Sequence, residues 1–416
     1  MATIKPFKGL RPLPELVAQI ASLPYDVMDT EEARAILAQK PLSFLSVTKA
    51  EATLPVGTEV HSAEVYAQAK ANLEGYLTAG QMRQEPQVAY YIYRQQMGEH
   101  IQIGLVATAS VQEYRENIIK KHELTRCDKE LDRVNHILAT EAQTGPVFLT
   151  YKNRGEINAL MLQLMSEKKP SYDFTGEDKI RHTLYVVKEP LEVTAVTKAF
   201  ANIPNLYIAD GHHRAAAAMR VAEQWGKRPE QTGQEAYNYF LAVIFPDNMM
   251  KILDYNRAVK DLGGLTTTEF MTELRKVFTV ENSGHNPKPT KLHQFGMYLD
   301  GQWYTLQAKA TSYEGTDLVA CLDVSILQKT VLAPLLGIMD PRTDEKIAFI
   351  GGIRGLQELE KRVDDGEFRV AFALYPTSIS QLMKIADMGQ LMPPKSTWFE
   401  PKLRDAMVVH LIGDEQ

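Results

Sequence analysis

The strongest chemical signal in the chain is Leu206-Tyr-Ile-Ala-Asp-Gly-His-His-Arg-Ala-Ala-Ala-Ala, where an apolar strand runs into Asp210 and a helix follows. Gly211 permits the tight turn between them. The first N–H groups of a helix have no partner within it, and its dipole puts partial positive charge there, so this turn favours an anion. His212, His213 and Arg214 add side-chain donors suited to phosphate oxygens. The dipole alone contributes only about 0.3–1 kcal/mol, so specific affinity must come from the side chains and any metal. The plainer alternative is that Asp210 merely caps the helix and the histidines are polar surface.

A second constellation is Ile118-Ile-Lys-Lys-His-Glu-Leu-Thr-Arg, followed by Asp132-Arg133. A carboxylate at Glu123, just after a strand-like pair of isoleucines, could take a proton from a hydroxyl nucleophile or hold a water or metal. Read blandly, it is a charged approach to a helix. His122-Glu123 is not a zinc motif, because no second histidine follows at helical spacing. Pro394-Lys395-Ser396-Thr397 ends like a phosphate loop but lacks the shaping glycines, which rejects a Walker-type site and leaves Lys395 as a phosphate contact on another kind of loop. The glycine pairs at 263–264 and 351–352 lack dinucleotide spacing and read as turns. Tyr25-Asp26 either lines a cleft or is a structural turn, and Asn256-Arg257 is equally open.

The elements that must position these residues are mixed α/β. Thr30 reads as the N-cap of a helix, and Val65, Ala69, Leu73 and Leu77 have helical spacing. Val88–Arg94 and His100–Val106 alternate like a hairpin around 95–99. A helix is expected over Asp128–Thr140, stopped by Gly145-Pro146, with a strand at Val147–Tyr151. Residues 152–181, polar and Lys-rich, read as an excursion from the core. Strands follow at His182–Val187 and Leu206–Ala209, then a helix to Gln224 with Gly226 as its cap. Tyr239–Phe245 has the wholly apolar character of a central strand. Beyond 260 come a helix over Thr267–Val277, a hairpin at Gly301 and a strand at Phe368–Tyr375. This organisation divides into an N-terminal α/β region at 1–110, a core at 111–260 with an insertion near 152–181, and a C-terminal α/β region at 261–416.

Length and composition bound the possibilities. At 416 residues, 44% hydrophobic and 24% charged, the chain is long enough for two or three packed units and is not a disordered, collagen-like or coiled-coil sequence. A formal charge of -6 argues against a DNA-coating surface. Cys127 and Cys321 cannot build a disulfide scaffold and suit a reducing cytoplasm; Cys127, although near Glu123, reads as a buried structural thiol. No apolar run approaches transmembrane length, and Met1-Ala-Thr-Ile-Lys lacks a secretory pattern. A cytoplasmic protein without membrane or nucleic-acid partners is the expectation.

Asp210–Arg214 after an apolar strand, with Glu123 upstream in an Ile-x-x-His-Glu-x-Thr context, resembles the ParB/sulfiredoxin-like superfamily, and within it the free serine kinases. Over most of its length the chain also resembles the family catalogued as domain of unknown function 1015, through Pro24-Tyr-Asp-Val, His122-Glu-Leu-Thr with Asp132-Arg133, Asp210–Arg214, Tyr255-Asn-Arg257 and Met392-Pro-Pro-Lys-Ser-Thr. The resemblance implies a central ParB/sulfiredoxin-like domain with α/β flanks. It implies a phosphotransferase that uses ATP or ADP with Mg²⁺ and acts on a small hydroxyl compound, L-serine first.

By that resemblance Glu123 is the base, and Gly211, His212, His213 and Arg214 hold phosphates. Asp210 orders the turn or reaches Mg²⁺. Lys395, Ser396 and Thr397 are further phosphate contacts, and His122, Thr125, Arg133, Tyr25, Asp26, Asn256 and Arg257 face the substrate or support the site. The 86 residues between Glu123 and Asp210 exceed what a bare core of this type needs. The turn holds no cysteine for sulfiredoxin chemistry, and no helix-turn-helix follows for DNA partitioning. The alternative is a regulatory module that binds or hydrolyses a nucleotide without small-molecule kinase activity.

Overall fold

A computed structural model describes residues 1–228, 231–284 and 288–413. They fall into two compact units, the first made of 1–121, 125–250 and 401–416, the second of 122–124 and 251–400. Both mix helices and sheet, in line with the α/β reading of the sequence. Among the described residues no helix is long and apolar enough to cross a membrane.

The first unit is built on a nine-stranded sheet. Its strands are β1 (Ile4–Lys5), β2 (Tyr90–Met97), β3 (His100–Ser110), β4 (Ile119–Lys120), β5 (Val147–Tyr151), β6 (Tyr172–Thr175), β7 (Arg181–Val187), β8 (Leu206–Asp210) and β9 (Tyr239–Pro246). Their order is β4-β8-β5-β9-β3-β2-β7-β6, with β1 added on β3. β9 lies parallel to β5 and antiparallel to β3, and all but its first residue are buried, as its apolar run requires. The change of sequence character near residue 110 therefore falls between strands of one sheet.

Local physics moves several boundaries. Asp29, not Thr30, caps the helix Thr30–Gln39, accepting from Glu32 N–H while Glu32 reaches back to Asp29 N–H. In the helix Ala63–Thr78 the buried face ends on Tyr76, and Leu77 stays exposed. The hairpin between β2 and β3 closes on Gly98-Glu99 alone. Gln95 can remain in the strand because Gln102 Nε2 donates to its side-chain oxygen and its own amide donates to the Lys402 carbonyl. The helix Cys127–Thr140 ends at Glu141, in the left-handed region, before Gly145 is reached.

The Lys-rich stretch after Tyr151 is packed rather than looped out. Helix Gly155–Ser166 buries Ile157, Met161 and Leu164 in the main core, and β6 pairs with β7. The lysines that make the stretch read as an excursion, Lys152, Lys168, Lys169 and Lys179, lie outside the helix and the strands. The helix Cys127–Thr140 leaves Cys127 exposed at its first turn, against the expectation of a buried thiol.

The second unit holds a six-stranded antiparallel sheet: β10 (Tyr255–Val259), β11 (Phe278–Asn282), β12 (Gln294–Leu299), β13 (Gln302–Ala308), β14 (Ile347–Gly351) and β15 (Val370–Leu374), ordered β11-β13-β12-β15-β10-β14. β12 and β13 turn at Asp300-Gly301, both with positive φ, the hairpin the glycine predicts. Tyr298, Trp303, Ile350, Leu359 and Phe368 fill its core.

Candidate active site

In the first unit, β8 carries a bulge between Ile208 and Asp210 where it pairs with β5. A bulge bends the strand and re-aims the side chains beyond it. Gly211 then takes φ 92°, a conformation in which a side chain is strained, and the 14-residue helix His212–Trp225 starts immediately after. Ala215 to Ala218 are all buried, so this helix lies close on the sheet.

Asp210 Oδ1 accepts from Gly211 N–H at 2.8 Å and Oδ2 from Lys402 Nζ at 2.8 Å. Burial alone would raise this carboxyl; Lys402, Arg214 and the Gly211 N–H outweigh it and hold Asp210 well below the usual carboxylate range. His213 Nε2 accepts from the Arg126 backbone N–H at 3.0 Å, so the neutral ring carries its proton on Nδ1. His212 is buried.

Arg214 is 9% exposed. Its guanidinium donates to the Pro146 carbonyl and, at 3.1 Å, to Asp26 Oδ2. Burial would lower its pKa, but Asp26 and Tyr25 raise it above its ordinary value. The Tyr25 ring has the Arg133 guanidinium 4.0 Å from its centre and that of Arg214 at 5.7 Å. Arg133 is held by Asp132, which also accepts from Tyr66 and pairs with His61, each at 3.0 Å. A small pocket, partly open to solvent, is lined by Tyr25, Arg133, Thr144, Gly145, Val147 and Arg214. Thr125 donates to Glu130 at 2.7 Å and so ties its loop to the helix Cys127–Thr140.

The first unit thus brings together Tyr25, Asp26, Arg133, Asp210, Gly211 and Arg214. Two participants escaped the sequence reading, Lys402 and Asp405. Both arrive on the returning segment Pro401–Gly413, which pairs Ser22 with Asp405, Leu10 with Val409 and Gln143 with His410. Their only trace in the sequence is the cluster of charges at 402–405 directly after Pro401.

The second unit contains the remaining candidates. The His122 carbonyl accepts from Met392 N–H at 2.8 Å, and half-buried Glu123 follows. Asn256 donates to Asp254 at 2.6 Å and accepts from Leu374 N–H at 3.0 Å. Arg257, buried in the sheet, donates to the Tyr255 carbonyl and, at 2.9 Å, to the Lys395 carbonyl, with its guanidinium 5.1 Å from the Phe349 ring centre. Burial pushes its pKa down to about 10. Lys395 is exposed at φ 57°; Ser396 Oγ donates to Pro393 O at 2.6 Å and the Ser396 carbonyl accepts from Thr377 at 2.9 Å. Thr397 is half-buried beside them.

With this geometry in hand, the chain compares with known proteins as follows. The model of the family described as "Protein of unknown function (DUF1015)" matches residues 4–325, and the chain belongs to that family. No curated protein matches it. Among solved structures, it resembles a free serine kinase variant in complex with AMP at 13% identity and TM-score 0.35, over 73% of this chain and 92% of that one. A conserved hypothetical protein from Pyrococcus furiosus aligns at 14% identity and TM-score 0.36, over 74% and 95%. C-terminally truncated SbnI from Staphylococcus aureus aligns at 11% identity and TM-score 0.38, over 73% and 86%.

Proposed function

We propose that the protein is a cytoplasmic, nucleotide-dependent phosphotransferase that phosphorylates a small hydroxyl metabolite, with L-serine the first candidate. The observation that carries this reading is the turn at Asp210. A left-handed glycine delivers the chain into a long helix while Lys402 and the Gly211 N–H fix the carboxylate behind it. A helix start of this kind is an anion site. In this reading ATP or ADP lays its phosphates on Gly211, His212 and His213, with the Arg214 charge beneath them.

Glu123 accepts the proton of the acceptor hydroxyl as its oxygen attacks the terminal phosphorus. The bond to the bridging oxygen breaks, and the shortened nucleotide leaves with the electron pair. Most of the rate acceleration in such a reaction is positioning and charge neutralisation. Lys402 already pairs with Asp210 at 2.8 Å, and a cation in that place disfavours Mg²⁺ on the same carboxylate. The part of Asp210 here is to order the turn.

The test is incubation of the protein with ATP or ADP, Mg²⁺ and L-serine, followed by ³¹P NMR for O-phosphoserine. Glu123→Gln is expected to lower kcat by about 10²–10⁴-fold with nucleotide affinity unchanged, and His213→Ala to weaken nucleotide binding. No phosphorylated product from either donor with any small hydroxyl acceptor, together with nucleotide affinity unchanged in His213→Ala, ends this reading. Nucleotide binding that responds to His213→Ala but never yields product favours a regulatory module instead.

A further inference from the structure

The helix Cys127–Thr140 begins on Arg126, which stands at the N-cap position and carries no side-chain acceptor for the first turn. Many helices fix the entry of the chain one step further out, by an apolar contact between the residue before the cap and the fourth helical residue. Here those positions hold Thr125 and Glu130, and the Thr125 hydroxyl donates to Glu130 Oε2 at 2.7 Å. Glu130 is 6% exposed, and its other oxygen, Oε1, pairs with Arg220 on the helix His212–Trp225. One buried carboxylate therefore ties the turn and its helix to a second helix.

The turn meets that second helix again at its start. The Arg126 N–H donates to His213 Nε2 at 3.0 Å. Arg220 follows His213 by seven residues, about two turns, so the two fastenings lie along one face of the helix ~10 Å apart. Two such points restrain direction as well as distance. For His213 the consequence is chemical. A ring nitrogen that accepts a hydrogen bond is unprotonated, so the neutral ring keeps its proton on Nδ1, where a phosphate oxygen can accept it. A ring released by Arg126 would no longer be held to that orientation or that tautomer.

We propose that Glu130 is the positioning residue of the phosphate site: it holds the Thr125–Arg126 turn where the Arg126 N–H orients His213 and keeps Nδ1 as a donor. This rests on the proposed function only for the phosphate that His213 receives. Glu130 and Arg220 act without touching the nucleotide. Their effect passes through the turn and the imidazole, as the outer partners of metal-bound histidines act through the ring they orient.

Calorimetric titration of the whole protein with AMP and ADP tests it, beside ¹⁵N NMR of the histidine rings at about pH 8, where an ordinary imidazole is neutral. Thr125→Val removes the hydroxyl and keeps the shape. It is expected to weaken both nucleotides about 3- to 10-fold, the range of one hydrogen bond, and Thr125→Ser to restore them. Arg220→Met, which loosens Glu130 from its other side, should act in the same direction. In the His213→Ala background Thr125→Val should weaken binding no further, since effects that pass through one residue do not add. The wild-type His213 ring should be protonated on Nδ1, and Thr125→Val should lose that single tautomer. An undiminished effect of Thr125→Val in the His213→Ala background, or a His213 ring indifferent to Thr125→Val, overturns the inference. Nucleotide affinity that falls in His213→Ala but not in Thr125→Val sinks only this inference. A protein that binds neither nucleotide sinks the proposed function, and the ring signals then decide whether Glu130 positions His213.

Discussion

Each unit buries an arginine of the sequence motifs, and the two are kept charged in opposite ways. Arg214 sits among acids, with Asp26 in contact and Asp210 and Asp405 near, and its pKa rises. Arg257 has backbone carbonyls and the faces of Tyr255 and Phe349, and its pKa falls to about 10. Buried charge is stable when matched by opposite charge and only tolerated when matched by dipoles. Arg214 therefore belongs to a balanced electrostatic cluster that can accept a ligand's charges, whereas Arg257 braces the Lys395 loop by holding its carbonyl.

The largest expected effect sharpens the acidic side of that contrast. Folded Asp405 keeps its proton up to about pH 7, whereas an unfolded aspartate loses it near 3.9. The folded state thus binds more protons between those values, and wild-type protein loses stability from this group as pH rises from about 4 to 7. Asp405→Asn removes the penalty. Its stability relative to wild type should climb by up to about 4 kcal/mol across that window and stay level above it, read by urea denaturation at several pH values. The buried histidines His136, His182 and His410, held down to about 4, 3 and 4, act in the reverse sense and are common to both proteins. A pH-independent difference between variant and wild type would remove Asp405 from the charged cluster.

Arg214→Met comes next. Breaking a buried pair by deleting one partner costs about 3–5 kcal/mol, and the lower end is expected because Asp26 can rehydrate. Arg257→Met leaves two carbonyls short of a donor and strands no acid, so about 1–3 kcal/mol is expected from the same denaturation experiment. If Arg257→Met proves the more costly of the two, the distinction between balanced and braced arginines fails. Arg257→Lys keeps the charge but not the fork, and should lose the hold on the Lys395 carbonyl as fully as methionine does.

Much of this was legible because local physics wrote it. The apolar run of β9, the Gly211 turn with its alanine-rich helix and the Asp300-Gly301 hairpin follow from patterns confined to a dozen residues. The misreadings came where distant partners decide. Gln95 reads as loop until Gln102 and the Lys402 carbonyl are there to satisfy its amide. The apolar residues of helix Gly155–Ser166 are masked in the sequence by the lysines that flank it until the core that buries Ile157 and Met161 is known. Asp29 displaces Thr30 as a cap through the reciprocal bond with Glu32, a pattern four residues long that the sequence does contain. Lys402 and Asp405 were invisible for a topological reason: a segment after 150 residues of another unit returns to complete the first.

That return has a consequence for synthesis. Asp210 and its lysine are 192 positions apart, so at ribosomal speeds of about 5–20 residues per second the turn waits roughly 10–40 s for its counter-ion. During that interval the second unit is already emerging while the first still lacks its closing segment. The nine-stranded sheet can form without that segment, since all its strands lie between Ile4 and Pro246; what waits for it is the counter-charge of the turn at Asp210.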